Sequence, residues 1–209
     1  MTTFYIVRHA EKEKGDFYNP RLRHQDEPIS QNGKRDSRKL WSFFADKQVT
    51  AIYVSGYIRT GQTIEFVASQ MGLTPVIDER LNEIDSGHFE GLSIEEIQRI
   101  YPDTWKSMCE RKEDFRFPGG ETGEEVQKRI ADILEEKRKA HDTENIILVS
   151  HEGLIRSLMC YIMNLPVYRR GNFQVNFCGI TDITYQPEYE AWKLIRFNHT
   201  SSHEINSIL

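Results

Sequence analysis

The sequence predicts an α/β fold: a three-layer sandwich in which helices cover both faces of a mostly parallel central sheet. Two patterns predict it. Short runs that are apolar at nearly every position recur along the chain, "FYIV" at 4–7, "AIYVS" at 51–55 and "NIILVS" at 145–150. A strand apolar on alternate residues needs one covered face, whereas a continuously apolar strand needs two. Between these runs lie amphipathic stretches with helix start signals, and strands that alternate with helices assemble as a parallel sheet. The 209 residues suit one domain spanning 1–209, and no repeat, low-complexity stretch or Gly/Ser/Pro linker divides them.

Each element has its own local signal. The first strand covers about residues 3–8. Ser30 starts a helix that runs to about Asp46, with Leu40, Trp41, Phe43 and Phe44 as its apolar stripe. After the strand at 51–55, a helix runs from Arg59 to Met71. Gly72 stops it, because glycine adopts the left-handed backbone that ends helices. "TPVID" (74–78) reads as a further strand. Ser93 with Glu96, and Thr122 with Glu125, form capping boxes that satisfy the first free amides of two more helices, the second running to about Ala140. The strand at 145–150 precedes a helix from about Gly153 to Met163. "ITDITY" (180–185) and "AWKLIRF" (191–197) close the chain as an antiparallel pair.

Composition narrows the class. Hydrophobic residues make up 38% and aromatics 11%, enough for a core even with 28% charged residues and a mean hydropathy of −0.59. A formal net charge of −5 argues against a general attraction to nucleic acid or anionic membrane. Lys34, Arg35, Arg38 and Lys39 are interrupted by polar residues and read as a solvated helix face. The most apolar run, Leu158 to Met163, is too short to span a bilayer, and the N-terminus lacks signal-peptide features. Cys109, Cys160 and Cys178 are odd in number and widely spaced, which suits neither a disulfide framework nor a zinc site. The expectation is a soluble cytoplasmic protein with no metal and no cofactor. Nothing in the sequence specifies an oligomeric state.

Three strands end in the same way. "FYIVRH" ends in Arg8 and His9, and "NIILVSHEG" ends in Ser150 and His151. "AIYVSGYIRT" ends in Ser55, with Arg59 four residues on at the start of a helix. Ligands of open α/β sheets bind beyond the carboxyl ends of the strands. If these strands are neighbours, two arginines and two histidines converge there with helix N-termini behind them. Such a set suits an anion, and its many donors suit phosphate.

At these positions the sequence resembles the histidine phosphatase superfamily, which includes the cofactor-dependent phosphoglycerate mutases. "VRHAE" is similar to the family's Arg-His-Gly signature, and "SGYIRTGQT" to its Ser-x-x-x-Arg-x-x-Gln-Thr segment. "LNEIDSGHFEGLS" resembles its Leu-x-Glu…Glu-Gly block, "FPGGETGEEVQKRI" its Pro-x-Gly-Glu-Ser stretch and "VSHEGLIRSLM" its second histidine motif. The five blocks keep the family's order over about residues 3–160. The resemblance implies a phosphoglycerate mutase-like fold and a two-step phosphoryl transfer. His9 is then the nucleophile that becomes phosphohistidine, while Arg8, Arg59 and His151 hold the phosphoryl oxygens. Glu83 protonates the leaving oxygen and then activates water, with no metal required. The chemistry of the residues agrees, since the imidazole must be neutral to attack and Arg8 and Arg59 disfavour its protonation.

Residue type alone does not select Glu83 over Asp78, Glu79, Asp85 or Glu90; only the resemblance does. For Glu90, before Gly91, the alternative is a cap for the Ser93 helix. Ala10 replaces a glycine common in the family, and Glu152 stands where a second glycine is common after the histidine. A carboxylate there faces either solvent or a cationic or polyhydroxylated part of the substrate. In the poorly matching loop 11–28, Lys14 and Asn19 are the candidate substrate contacts, the alternative being a plain exposed loop. Trp105, Phe115, Arg116 and Phe117 offer apolar and cationic surface over the site, with core packing as the equal alternative for the aromatics. The segment between Glu83 and Gly119 is shorter than in the mutases, which favours a phosphatase acting on a small-molecule phosphate monoester. Mutase-type transfer is the alternative, and a phospholigand-binding protein without turnover is the less favoured third reading.

Overall fold

The computed structural model describes residues 1–200. Eight strands and seven helices follow one another as β1 (Thr3–Arg8), β2 (Tyr18–Asn19), β3 (His24–Gln25), α1 (Gln31–Lys39), α2 (Trp41–Phe44), β4 (Val49–Val54), α3 (Ile58–Met71), β5 (Val76–Ile77), α4 (Ile94–Ile100), α5 (Pro102–Glu110), α6 (Gly123–Ala140), β6 (Asn145–Ser150), α7 (Glu152–Ile162), β7 (Ile180–Gln186) and β8 (Ala191–His199). Six strands form one sheet in the order β5-β4-β6-β1-β7-β8, and β2 and β3 form a separate hairpin. β5, β4, β6 and β1 run parallel, while β7 and β8 add antiparallel to the β1 edge.

The continuous apolarity of the central strands has its expected cause. Tyr5, Val7, Ile52, Val54, Ile147 and Val149 pack with Leu40, Phe43, Phe44, Ile64 and Val67 of α1–α3 on one face. Their alternating neighbours Phe4, Ile6, Ile146 and Leu148 pack with Val126, Ile130, Ile133 and Leu134 of α6 and Leu154, Ile155 and Leu158 of α7 on the other. Successive side chains point to opposite faces, so both faces must be apolar to be covered.

Two local expectations are refined. The helix expected over 30–46 is two pieces, because the Leu40 amide bonds Ser37 three residues back in a tightened turn. That turn leaves Leu40, Phe43 and Phe44 all buried in one cluster. The strand expected at 74–78 shortens to Val76–Ile77, which pairs only with Tyr53 and Val54. Both capping boxes form, at Ser93/Glu96 and Thr122/Glu125. Among the described residues no helix is long and apolar enough to cross a membrane.

Candidate active site

Sheet register brings the strand ends together. Arg8 lies opposite Ser150 in the β1–β6 pair, and Val54 lies opposite Val149 in the β4–β6 pair. The chain after each strand therefore emerges on one rim. The His9 amide donates to the Ser150 carbonyl at 2.9 Å, and the Ala10 amide to Thr63 Oγ1 of α3 at 2.8 Å. The turn that carries His9 is pinned from both sides.

His9 is 4% exposed. Its Nδ1 lies 2.8 Å from the Ala10 carbonyl, which can only accept, so Nδ1 carries the ring proton and Nε2 keeps a free lone pair. Burial first, and then Arg59, lower its pKa to about 3. Desolvation, more than the two arginines that the sequence points to, keeps this ring neutral.

His151 stands at the N-cap of α7 and is fully buried, its ring centroid 5.1 Å from that of His9. Its Nε2 lies 2.8 Å from Ser55 Oγ, and burial holds its pKa well below the ordinary histidine value. The arginines complete two matched stacks. Arg8 lies 4.2 Å over the ring of Phe177, and Arg59 lies 4.2 Å over the ring of Tyr57. Phe177 also sits 5.6 Å from His9, and Tyr57 4.9 Å from His151. Four buried side-chain polar atoms have no partner among the described residues, and three are Nε of Arg8, Nε of Arg59 and Nδ1 of His151. Buried polar groups are ordinarily bonded. Three orphaned nitrogens around one neutral imidazole make a site that awaits an acceptor-rich ligand.

Arg8, His9 and Arg59 line a cavity of about 300 Å³, with Glu83 on its wall. The Glu83 carboxylate accepts from the amides of Ile84 at 2.9 Å, Gly153 at 3.2 Å and Leu154 at 3.0 Å. The last two belong to the N-terminal turn of α7, where a carboxylate is favoured. Gly153 is required here: a Cβ at that position would lie 2.7 Å from Glu83 Oε1 and 2.6 Å from Ile84 Cγ2.

The model of the histidine phosphatase superfamily (branch 1) matches residues 4–200. The chain belongs to that superfamily. Phosphoserine phosphatase 1 of Hydrogenobacter thermophilus is 30% identical over 83% of this chain and 82% of its own. A protein of an Enterobacter species described as "Probable phosphoglycerate mutase GpmB" is 28% identical over 89% of this chain and 86% of its own. The fold is also that of a phosphoserine phosphatase from Entamoeba histolytica solved with phosphoserine, with a TM-score of 0.80, 21% identity and coverage of 98% of this chain and 100% of the other. As a member of this superfamily the chain is a phosphatase enzyme.

Of the residues singled out from this histidine phosphatase's sequence, Arg8, His9, Arg59 and Glu83 meet at the cavity, and His151 stands directly behind it. Three others do not. Lys14 is exposed, and Asn19 bonds Asp26 at 2.9 Å and the Arg21 amide at 3.0 Å within the β2–β3 hairpin. Asn19 is spent on shaping the hairpin. Glu152 reaches neither solvent alone nor the cavity wall but pairs with Arg8 at 3.0 Å and with Arg156 at 2.6 Å. Glu90 is not the cap of α4, which the Ser93–Glu96 box supplies. It holds the hairpin instead, accepting from the Gln25 amide at 2.7 Å and from His24.

Sequence reasoning missed the cavity residues Lys12, His24, Gln25, Glu27, Tyr57 and Phe177. Glu27 ties Lys12 Nζ at 2.5 Å to Arg59 Nη1 at 3.3 Å, so it orients the arginine. Lys12 directly follows the first motif and Tyr57 lies inside the second, which was the available signal; Phe177 carried none. The Pro-x-Gly-Glu-Ser-like block also has a structural task. Its Glu121 binds Arg129 at 2.9 Å, and Arg129 donates to the carbonyls of Arg80, Asn82 and Glu83 at 2.6, 2.8 and 3.2 Å. The block thus braces the loop that presents Glu83. Trp105, Phe115 and Phe117 line a second cavity of about 620 Å³ that shares Ile84 with the first, whereas Arg116 turns away to Glu125.

Proposed function

We propose that the chain is a phosphomonoester hydrolase that works through a phosphohistidine at His9. The observation that carries this reading is the His9 tautomer, with Nε2 unprotonated beside three orphaned nitrogens of Arg8, Arg59 and His151. In the first step the Nε2 lone pair forms the N–P bond. The P–O bond of the ester breaks, and its electron pair leaves on the alcohol oxygen, which takes a proton from Glu83. In the second step Glu83 takes a proton from water, the water oxygen bonds phosphorus, and the N–P electron pair returns to His9. Arg8, Arg59 and His151 stabilise the charge on the equatorial oxygens in both steps, the role that fixed cations play in phosphoryl transfer.

Water as the acceptor is favoured over a second hydroxyl by the short segment between Glu83 and Gly119. The resemblance to a phosphoserine phosphatase makes a small phosphorylated metabolite the substrate class, and phosphoserine the first compound to assay. Arg8 and Arg59 supply the charge that a metal would otherwise bring, so turnover is metal-independent in this reading. The three free cysteines support a reducing, cytoplasmic setting, and the match over 4–200 supports treating 1–209 as one domain.

Rapid quench after brief exposure to labelled substrate should trap an acid-labile, base-stable phosphoenzyme that is lost in His9→Ala. Label retained in full by His9→Ala rules the assignment out. Turnover in excess EDTA should be unchanged, with vanadate inhibiting; activity lost in EDTA and restored by magnesium counts against the reading.

A further inference from the structure

We infer that Glu152 is a built-in competitor for Arg8, a positioning residue that weakens the grip of the site on phosphate and so eases release of the product. The inference rests on the proposed role of Arg8 as a ligand of the phosphoryl oxygens. Glu152 opens α7 directly after His151, where the sequence departs from the glycine of the family pattern. Its Oε2 lies 3.0 Å from Arg8 Nη2, and its Oε1 lies 2.6 Å from Arg156 Nη2. Arg8 Nη1 is already bonded to the Val175 carbonyl. Among the described residues, then, both terminal nitrogens of Arg8 are occupied by the protein and Nε alone is left unpartnered.

The geometry makes Glu152 a movable rival rather than a fixed strut. Its side chain is 29% exposed, so it can turn to water, while that of Arg8 is 14% exposed and has few alternatives. Arg156 offers Glu152 a second partner one helical turn along, at i+4 on α7. A phosphoryl group arriving at Arg8 displaces the carboxylate toward Arg156. When inorganic phosphate leaves, the carboxylate returns and neutralises the bare guanidinium. The same logic applies at Arg59, which Glu27 holds at 3.3 Å, but Glu27 is also tied to Lys12 and is less free to yield. A site whose cations are paired in advance binds phosphate less tightly than one with naked arginines, because each new contact replaces an existing one.

The test is the binding of inorganic phosphate, measured by titration calorimetry on the full chain at fixed ionic strength, with product inhibition measured in parallel. Glu152→Gln keeps the shape and removes the charge, so it should bind phosphate about tenfold more tightly. Its product-inhibition constant and KM should fall together, and kcat should fall where release limits turnover. Glu152→Ala should do the same, which guards against a glutamine that folds poorly, and melting curves report folding separately. A purely structural role would lower the melting temperature and leave phosphate affinity unmoved. Unchanged or weaker phosphate binding in both variants, with affinity still lost in Arg8→Gln, overturns the inference alone. Wild-type affinity retained in Arg8→Gln overturns the phosphate-ligand role of Arg8 beneath it.

Discussion

Ser55 Oγ lies 2.8 Å from Nε2 of His151, across 96 positions of sequence. Thr60, whose hydroxyl lies 3.0 Å from the same serine, has its own proton engaged by the Tyr57 carbonyl at 2.8 Å. Thr60 therefore only accepts from Ser55, and the single Ser55 proton is shared between Thr60 Oγ1 and His151 Nε2. A serine that donates to Nε2 leaves the ring proton on Nδ1, the nitrogen that has no partner among the described residues. With the Ser55 proton directed at Nε2, the strand-end serine fits His151 to the donor role proposed for it toward a phosphoryl oxygen.

Ser55→Ala should lower kcat/KM by roughly tenfold to a hundredfold, the range for losing one oriented donor in the transition state. Nitrogen NMR of the His151 ring should show the tautomers mixing in the variant. A wild-type rate with a single unchanged tautomer would dismiss the serine as a bystander.

The depressed pKa of His9 has a sign that stability can read. The folded ring titrates near 3 and the unfolded ring near 6.5, so between those values the unfolded chain binds more protons. Stability is fully present above pH 6.5 and is lost progressively as pH falls toward 3. His151 acts in the same direction. Denaturant melts of the wild type at pH 7 and pH 4 should differ by more than those of His9→Gln, on the order of 2 kcal/mol more. The acid limb of kcat/KM should also lie well below pH 6, since His9 is already neutral there. Equal pH sensitivity in wild type and variant would contradict the buried neutral ring.

Glu83→Gln should lose on the order of 10²–10⁴-fold on an alkyl phosphate and much less on p-nitrophenyl phosphate, whose leaving group needs no proton. Equal losses on both substrates would remove Glu83 from leaving-group protonation. Glu90→Gln is the informative control. Because Glu90 anchors His24 and Gln25 rather than capping α4, it should raise KM by several-fold without leaving-group dependence. An alkyl-specific loss in Glu90→Gln would transfer the acid to that residue.

Arg129→Met should destabilise the fold by about 2–4 kcal/mol, because it strands the Glu121 carboxylate and frees three carbonyls of the Glu83 loop. Chemical denaturation measures the loss, and kcat should drop with it as Glu83 loses its support. A change under 1 kcal/mol would mean that the loop's bonds to Gly56, Ser150, Gly153 and Leu154 hold it without Arg129.

The elements legible in the sequence were those with a local cause. Continuous apolarity marked β1, β4 and β6, and Ser93/Glu96 and Thr122/Glu125 marked two helix starts within four residues each. The break at Leu40 was not legible, because no glycine or proline marks it and it consists only of the tightened Leu40–Ser37 turn that seats Leu40, Phe43 and Phe44 in the core. The same held for the loop 11–28. Its Lys14 and Asn19 were as polar as Lys12 and Glu27, and only the folded loop, with Lys12 bridged to Ile29 and β2 paired with β3, sends one pair to the cavity and the other away.

By itself the sequence determined the alternation of strands and helices and the planting of Arg8, His9, Ser55 and His151 at strand ends, since strand polarity and chain order carry those positions to one rim. Tertiary structure alone decided the partners: Glu152 on Arg8, Glu27 on Arg59, Phe177 over His9, Ser55 on His151. The physical reason is range. A helix cap or an apolar strand is read from a few neighbouring residues, whereas a salt bridge or a ring tautomer depends on which distant segment folding brings within 3 to 6 Å.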